Sequence, residues 1–225
     1  MRTALILPAC LLLLSALAAA CSSGESWEIE RVGERCEALD MSPDKDGRVR
    51  LEGASIVPPE DFRPVSCFDE GGWLSVNLRE THGEPGQNLA AHVGVLQLDA
   101  ATSALVTPEN RQDMLWALAS DCVARTREDP RCLDFDATPN DFSLPGVSCA
   151  GWDEAWVDLG VPGSVGEEWP ASVRSAVCFD PADPPTAVVL IAWSARHAPD
   201  IDGLEWSEVE RQSRAFLSSL EFETE

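Results

Sequence analysis

The sequence predicts an α+β fold made of two related modules of short antiparallel strands, each closed by a helix and stapled by disulfides. Three observations point there. A set of signals recurs in the same order in both halves, strands and helices do not alternate as a parallel sheet requires, and there are eight cysteines in 225 residues. With 44% hydrophobic and 24% charged residues the composition is that of a globular protein. Sixteen basic residues against 39 acidic ones give a net charge of -23, which repels phosphate backbones and excludes nucleic acid as a partner.

The chain opens with Arg2, an apolar run through Leu11, Leu12, Leu13 and Leu14, and small residues up to Ala20. Residues 1–20 read as a signal peptide, too short and wrongly flanked for a spanning helix. The junction Leu17-Ala18-Ala19-Ala20-Cys21 resembles the bacterial lipoprotein signal. That resemblance implies a lipidated Cys21, palmitate among its acyl chains, and an exported protein anchored in the cell envelope. Ordinary cleavage after Ala20, giving a free secreted form, is the alternative. Cysteine parity bears on the choice: with Cys10 removed, seven cysteines remain, and lipidating Cys21 leaves six to pair. Residues 21–26 form a polar tether that reaches less than roughly 20 Å from the membrane.

The first module, residues 27–124, carries Gly33-Glu-Arg-Cys36, then Val49-Arg-Leu51, then Arg63-Pro-Val-Ser-Cys67-Phe68-Asp69. The second, residues 141–225, carries Gly146-Val-Ser-Cys149, then Val157-Asp-Leu159, then Arg174-Ser-Ala-Val-Cys178-Phe179-Asp180. An apolar strand follows each Cys-Phe-Asp, over 73–78 and 187–193, and then His82 or His197. A helix closes each half. Thr107-Pro108-Glu109 offers a cap, a first-turn proline and an acid, and Ser207-Glu-Val-Glu210 reads as a capping box before Val209, Phe216, Leu217 and Leu220. Accidental likeness within a single α+β domain is the alternative to duplication. Residues 125–140, with Pro130 and Pro139 and no periodicity, read as a linker.

Modules of this size gain from covalent help. The symmetric pairing is Cys36 with Cys67 and Cys149 with Cys178, leaving Cys122 with Cys132, though six cysteines formally allow fifteen pairings. The stretch over 214–222, Arg-Ala-Phe-Leu-Ser-Ser-Leu-Glu-Phe, with its preceding strand, resembles the end of the small envelope lipoproteins related to LpqN, DcrB and the PsbP photosystem proteins. The resemblance implies an antiparallel sheet with packed helices and a largely non-catalytic role.

Catalytic signals are sparse. There is no Gly-x-Ser-x-Gly, and six paired cysteines leave no thiol nucleophile, so no catalytic residue is assigned. No His or Cys spacing fixes a metal, and no cofactor is implied. Asp44-Lys45-Asp46-Gly47 and Asp200-Ile201-Asp202-Gly203 have a trace of a calcium loop but lack the closing glutamate and read first as turns. Candidate ligand-binding residues are Trp152, Trp156 and Trp169, as an aromatic platform or as scaffold, together with His82 and His197. Two functions remain: a non-catalytic envelope lipoprotein that binds a protein or envelope component, its acidity favouring a basic partner, or a carboxylate-dependent hydrolase or glycan-acting enzyme. Whether the chain is an enzyme stays open, with the weight on binding.

Overall fold

The computed structural model describes residues 29–81, 86–160, 167–198 and 206–223. Cys21, the tether, His82 and the Asp200 loop lie outside them. Within them the fold is α+β and dominated by one sheet. Its strands are β1 (Glu30–Val32), β4 (Phe62–Glu70), β5 (Trp73–Glu80), β6 (Gln87–Gln97), β7 (Cys132–Asn140), β8 (Cys149–Asp158), β9 (Trp169–Phe179) and β10 (Ala187–His197), in the order β1-β4-β5-β6-β10-β9-β8-β7. A smaller sheet holds β2 (Val49–Leu51), β3 (Ala54–Ile56) and β11 (Glu221–Phe222) in the order β11-β3-β2. The helices are α1 (Glu34–Ala38), α2 (Ala100–Ser103), α3 (Arg111–Glu128) and α4 (Trp206–Ser218).

Local chemistry explains the main joints. Gly71 and Gly72, at φ 60° and 87°, form a two-residue turn between β4 and β5, the geometry that matches strand twist. Gly33, at φ 100°, enters α1 so close to Asp69 that an added Cβ would stand 2.6 Å from the Asp69 Cβ. Asp69 accepts from Arg35 Nε at 2.9 Å and so holds α1 against β4. The turn around Asp44 is closed by Asp44 Oδ1, which accepts the backbone N–H groups of Asp46 and Arg48. Helix α3 starts three residues beyond the expected Pro108, because Asn110 accepts from the Thr107 N–H and donates to the Leu105 carbonyl, using residues 105–110 as a turn.

Alternation of side chains gives the sheet two apolar faces. On one, Leu74, Val76, Val93, Val189, Ile191 and Trp193 pack beneath Val209, Phe216 and Leu217 of α4 and beneath the small sheet. On the other, Trp152, Trp156, Val177, Phe179 and Leu190 pack beneath Leu115, Ala119 and Cys122 of α3.

Several expectations are corrected by this topology. The two modules share one sheet, joined where β6 and β10 pair antiparallel over eleven residues, from Ala187 opposite Gln97 to His197 opposite Gln87. The expected equivalence fails: two strands separate Cys67 from its helices, one strand separates Cys178 from α4, and α3 and α4 lie on opposite faces. Residues 125–140 are not a linker. They complete α3, turn at Asp129, and form edge strand β7 paired with β8. Its Asp-rich pattern hid it, because an edge strand buries little of either face.

The disulfides Cys36–Cys67 and Cys149–Cys178 are present, the first joining α1 to β4 and the second crossing between directly opposed residues of β8 and β9. Cys122 does not pair with Cys132: Cys122 is disulfide-bonded, and Cys132 is a free thiol. Between them α3 runs six residues beyond Cys122 to Glu128, and the chain turns at Asp129, whose carbonyl accepts the Cys132 N–H, to open β7. The free thiol is no nucleophile, since burial and the neighbouring Asp129 and Asp158 push it up to about 12. Cysteine parity therefore no longer argues for lipidation at Cys21, and that reading rests on the Leu17 to Cys21 junction.

Candidate functional site

Helix α4 covers the middle of its face and leaves the β7–β9 end open. A groove of about 290 Å³ runs along the boundary, lined by Asp136 and Thr138 of β7, Asp153 of β8, Ser172 and Arg174 of β9, Trp193 of β10, and Val209, Glu210 and Ser213 of α4. It meets a second cavity of about 200 Å³ at Arg174, bordered by Asn140, Asp141, Phe142, Arg214 and Ser218.

Cross-strand register builds the centre of this groove. Asp153 lies opposite Arg174, and Arg174 opposite Trp193, so the three side chains form one row across β8, β9 and β10. Arg174 donates from Nε and Nη2 to the two Asp153 oxygens at 2.8 and 2.9 Å, a forked pair, and Asn140 donates to the same carboxylate at 3.0 Å. Burial pushes Asp153 up, yet the hydrogen bonds from Arg174 and Asn140 win and hold it below its ordinary value. Arg174 is raised in turn, first by its bond to Asp153. The Arg174 Nη1 lies 3.8 Å from Glu210. Trp193 forms the floor, stacked on Phe62 at 4.9 Å and tilted against Phe216 at 6.3 Å.

A carboxyl with the raised pKa that acid–base work needs does occur, but its oxygens face away from the groove. Burial pushes Glu154 up to about 7, against opposing hydrogen bonds from Trp152 and Thr126. Its carboxylate accepts from Trp152 Nε1 at 3.2 Å on the α3 side, so only its strand position borders the groove. On that same α3 side, Asn77 donates to Ser66 Oγ at 2.9 Å and its oxygen faces His92 Nδ1 at 2.7 Å. Asn77 thus assigns the proton to Nδ1. Desolvation lowers His92 to about 4, keeping it neutral.

Among the described residues, the ligand candidates named from sequence, Trp152, Trp156, Trp169 and His197, are not brought together. Trp152, Trp156 and Trp169 are 2%, 4% and 8% exposed, so they are scaffold and offer no platform. Trp156 stacks on Phe135, and Trp169 packs with Ala198. His197 ends β10, its Nδ1 donating to the Ala198 carbonyl at 3.0 Å. Sequence reasoning missed Asp136, Asp153, Trp193 and Glu210, and used Arg174 only as a repeat marker. The signal was present in β8, where buried Trp152, Glu154 and Trp156 alternate with residues of the other face, leaving Asp153 opposite to them.

No family model and no curated protein matches this chain. Among solved structures, the chain is similar to LpqN, described as involved in cell envelope biogenesis of Mycobacterium tuberculosis. The identity is 12% and the TM-score 0.42, over 74% of this chain and 81% of that one.

Proposed function

We propose that the chain is a non-catalytic binding module of the bacterial cell envelope, anchored through lipid on Cys21, which holds a protein or envelope component in the groove beside α4. The observation that carries the reading is the row Asp153, Arg174 and Trp193. Its carboxylate is held ionised by a forked ion pair, and its arginine is fixed in place, an arrangement suited to recognition rather than to proton transfer. The Leu17 to Cys21 junction supports export and anchoring. The net charge of -23 favours a basic partner.

Two measurements test it. Mass spectrometry of the protein from its own envelope should find diacylglycerol on Cys21, lost in Cys21→Ala; an unmodified Cys21 thiol would remove the anchor. Crosslinked envelope partners should be captured by the wild type and lost with Arg174→Ala. Capture that persists in that variant would remove the groove from the function.

A further inference from the structure

Two donors of residues that line the groove make no hydrogen bond, although Arg174 Nη1 stands 3.8 Å from the Glu210 carboxylate. Trp193 is 1% exposed and its Nε1 makes no hydrogen bond. Arg174 spends Nε and Nη2 on Asp153 and leaves Nη1 buried without a hydrogen bond. Buried polar atoms of this kind are costly and are normally satisfied, so a ligand bearing acceptors answers a need built into the site.

Charge narrows the ligand further. Arg174 pairs with Asp153 and Arg214 pairs with Glu210 at 3.1 Å, which leaves Asp136 and Asp141 in excess around the two cavities, so the ligand has to bring positive charge as well as acceptors. A neutral glycan would satisfy the donors and leave the excess carboxylates uncompensated as it displaced their water. An anionic ligand would worsen the imbalance. Length then decides between a small amine and a polymer. The two cavities meet at Arg174 and follow α4 from Val209 to Ser218, about 14 Å of helix axis and room for roughly four residues of extended chain.

Building on the binding reading above, we propose that the groove takes an extended segment of a partner protein that presents an arginine or lysine side chain beside a free backbone carbonyl. The carbonyl accepts from Trp193 Nε1 or Arg174 Nη1, and the cationic group sits between Asp136 and Glu210. Asp141 and Arg214, 3.6 Å apart at the far end, border the continuing chain.

The test is calorimetric titration of the whole mature protein with a capped tetrapeptide containing one arginine, and with the same peptide carrying citrulline, its neutral near-isostere. The arginine peptide should bind, and citrulline should weaken it roughly ten- to a hundredfold. Asp136→Asn, at an exposed edge-strand position that leaves the core intact, should erase most of the difference between the peptides. Trp193→Phe, which keeps a ring and removes the N–H, should weaken both alike. Equal binding of the two peptides, or no binding of either, would overturn the proposal. If the peptides fail while Arg174→Ala still abolishes envelope capture, the ligand class is wrong and the binding reading stands. If Arg174→Ala leaves capture intact, the binding reading itself falls.

Discussion

Glu154 and His92 set opposite pH responses from the same face of the sheet. Glu154 titrates near 7 when folded against an ordinary 4.5, so the native state holds an extra proton between those values and loses stability as pH rises through them. His92 titrates near 4 against an ordinary 6.5, so the unfolded state holds the extra proton and stability rises with pH between 4 and 6.5. Across the shared window, pH 4.5 to 6.5, the two contributions nearly cancel. Urea unfolding should therefore show Glu154→Gln gaining about 3 kcal/mol relative to the wild type on going from pH 4.5 to pH 7. A relative stability that does not change with pH would show that the Glu154 carboxyl is not held protonated. Neither residue was legible as a titrating group in the sequence. Their burial comes from β6 and β8 lying inside the sheet, a fact of strand order that no local pattern records.

At the level of elements, the two staples close loops of similar length, 31 and 29 residues, yet they join different things. If chain entropy dominates, removing either by a Cys→Ala pair should cost about 3.7 kcal/mol. A much larger loss for Cys36 and Cys67 would mean that α1, only five residues long, depends on the bond for its position. Helix α4 supports the groove from above through Phe216, 2% exposed and against Trp193. Phe216→Ala should cost about 3–5 kcal/mol, and a loss below about 1 kcal/mol would show that the helix does not close the core. The apolar stripe of α4 was readable because its spacing is helical, and β5 and β10 because they are continuously apolar. Strand β7 was not, since Asp134, Asp136 and Pro139 along an exposed edge look like loop.

For the whole molecule, the β6–β10 seam makes the halves interdependent. Residues 27–124 alone would expose the β6 edge and would lose the sheet beneath α3, whose apolar side rests on β8 and β9. That fragment should show no cooperative thermal transition by circular dichroism, and neither should residues 141–225, which keep β9 and β10 beneath α4 but lose β2 and β3 of the small sheet and the Leu74, Val76 and Val93 side of that core. A cooperative melt of either alone would restore two autonomous modules. The recurrence of Cys-Phe-Asp was real in the sequence, but it marks strands placed differently in the sheet: Arg63 is exposed opposite Arg79, while Arg174 is clamped by Asp153. Pairing partners about twenty residues apart, Asp153 with Arg174 and Arg174 with Trp193, decided the groove, and they become neighbours only once the strand order is known.

The Cys36–Cys67 bond also defines a load path. Strand β1 meets β4 through three residue pairs at the margin of the large sheet. A pull arriving from an anchored N-terminus would load those three pairs first. Their rupture can go no further than Cys36, where covalent sulfur hands the force to Cys67 in β4. If the chain is anchored through Cys21 as proposed, then among the described residues the drag would fall on 29–36 alone, and the groove at the opposite margin would be kept mechanically quiet.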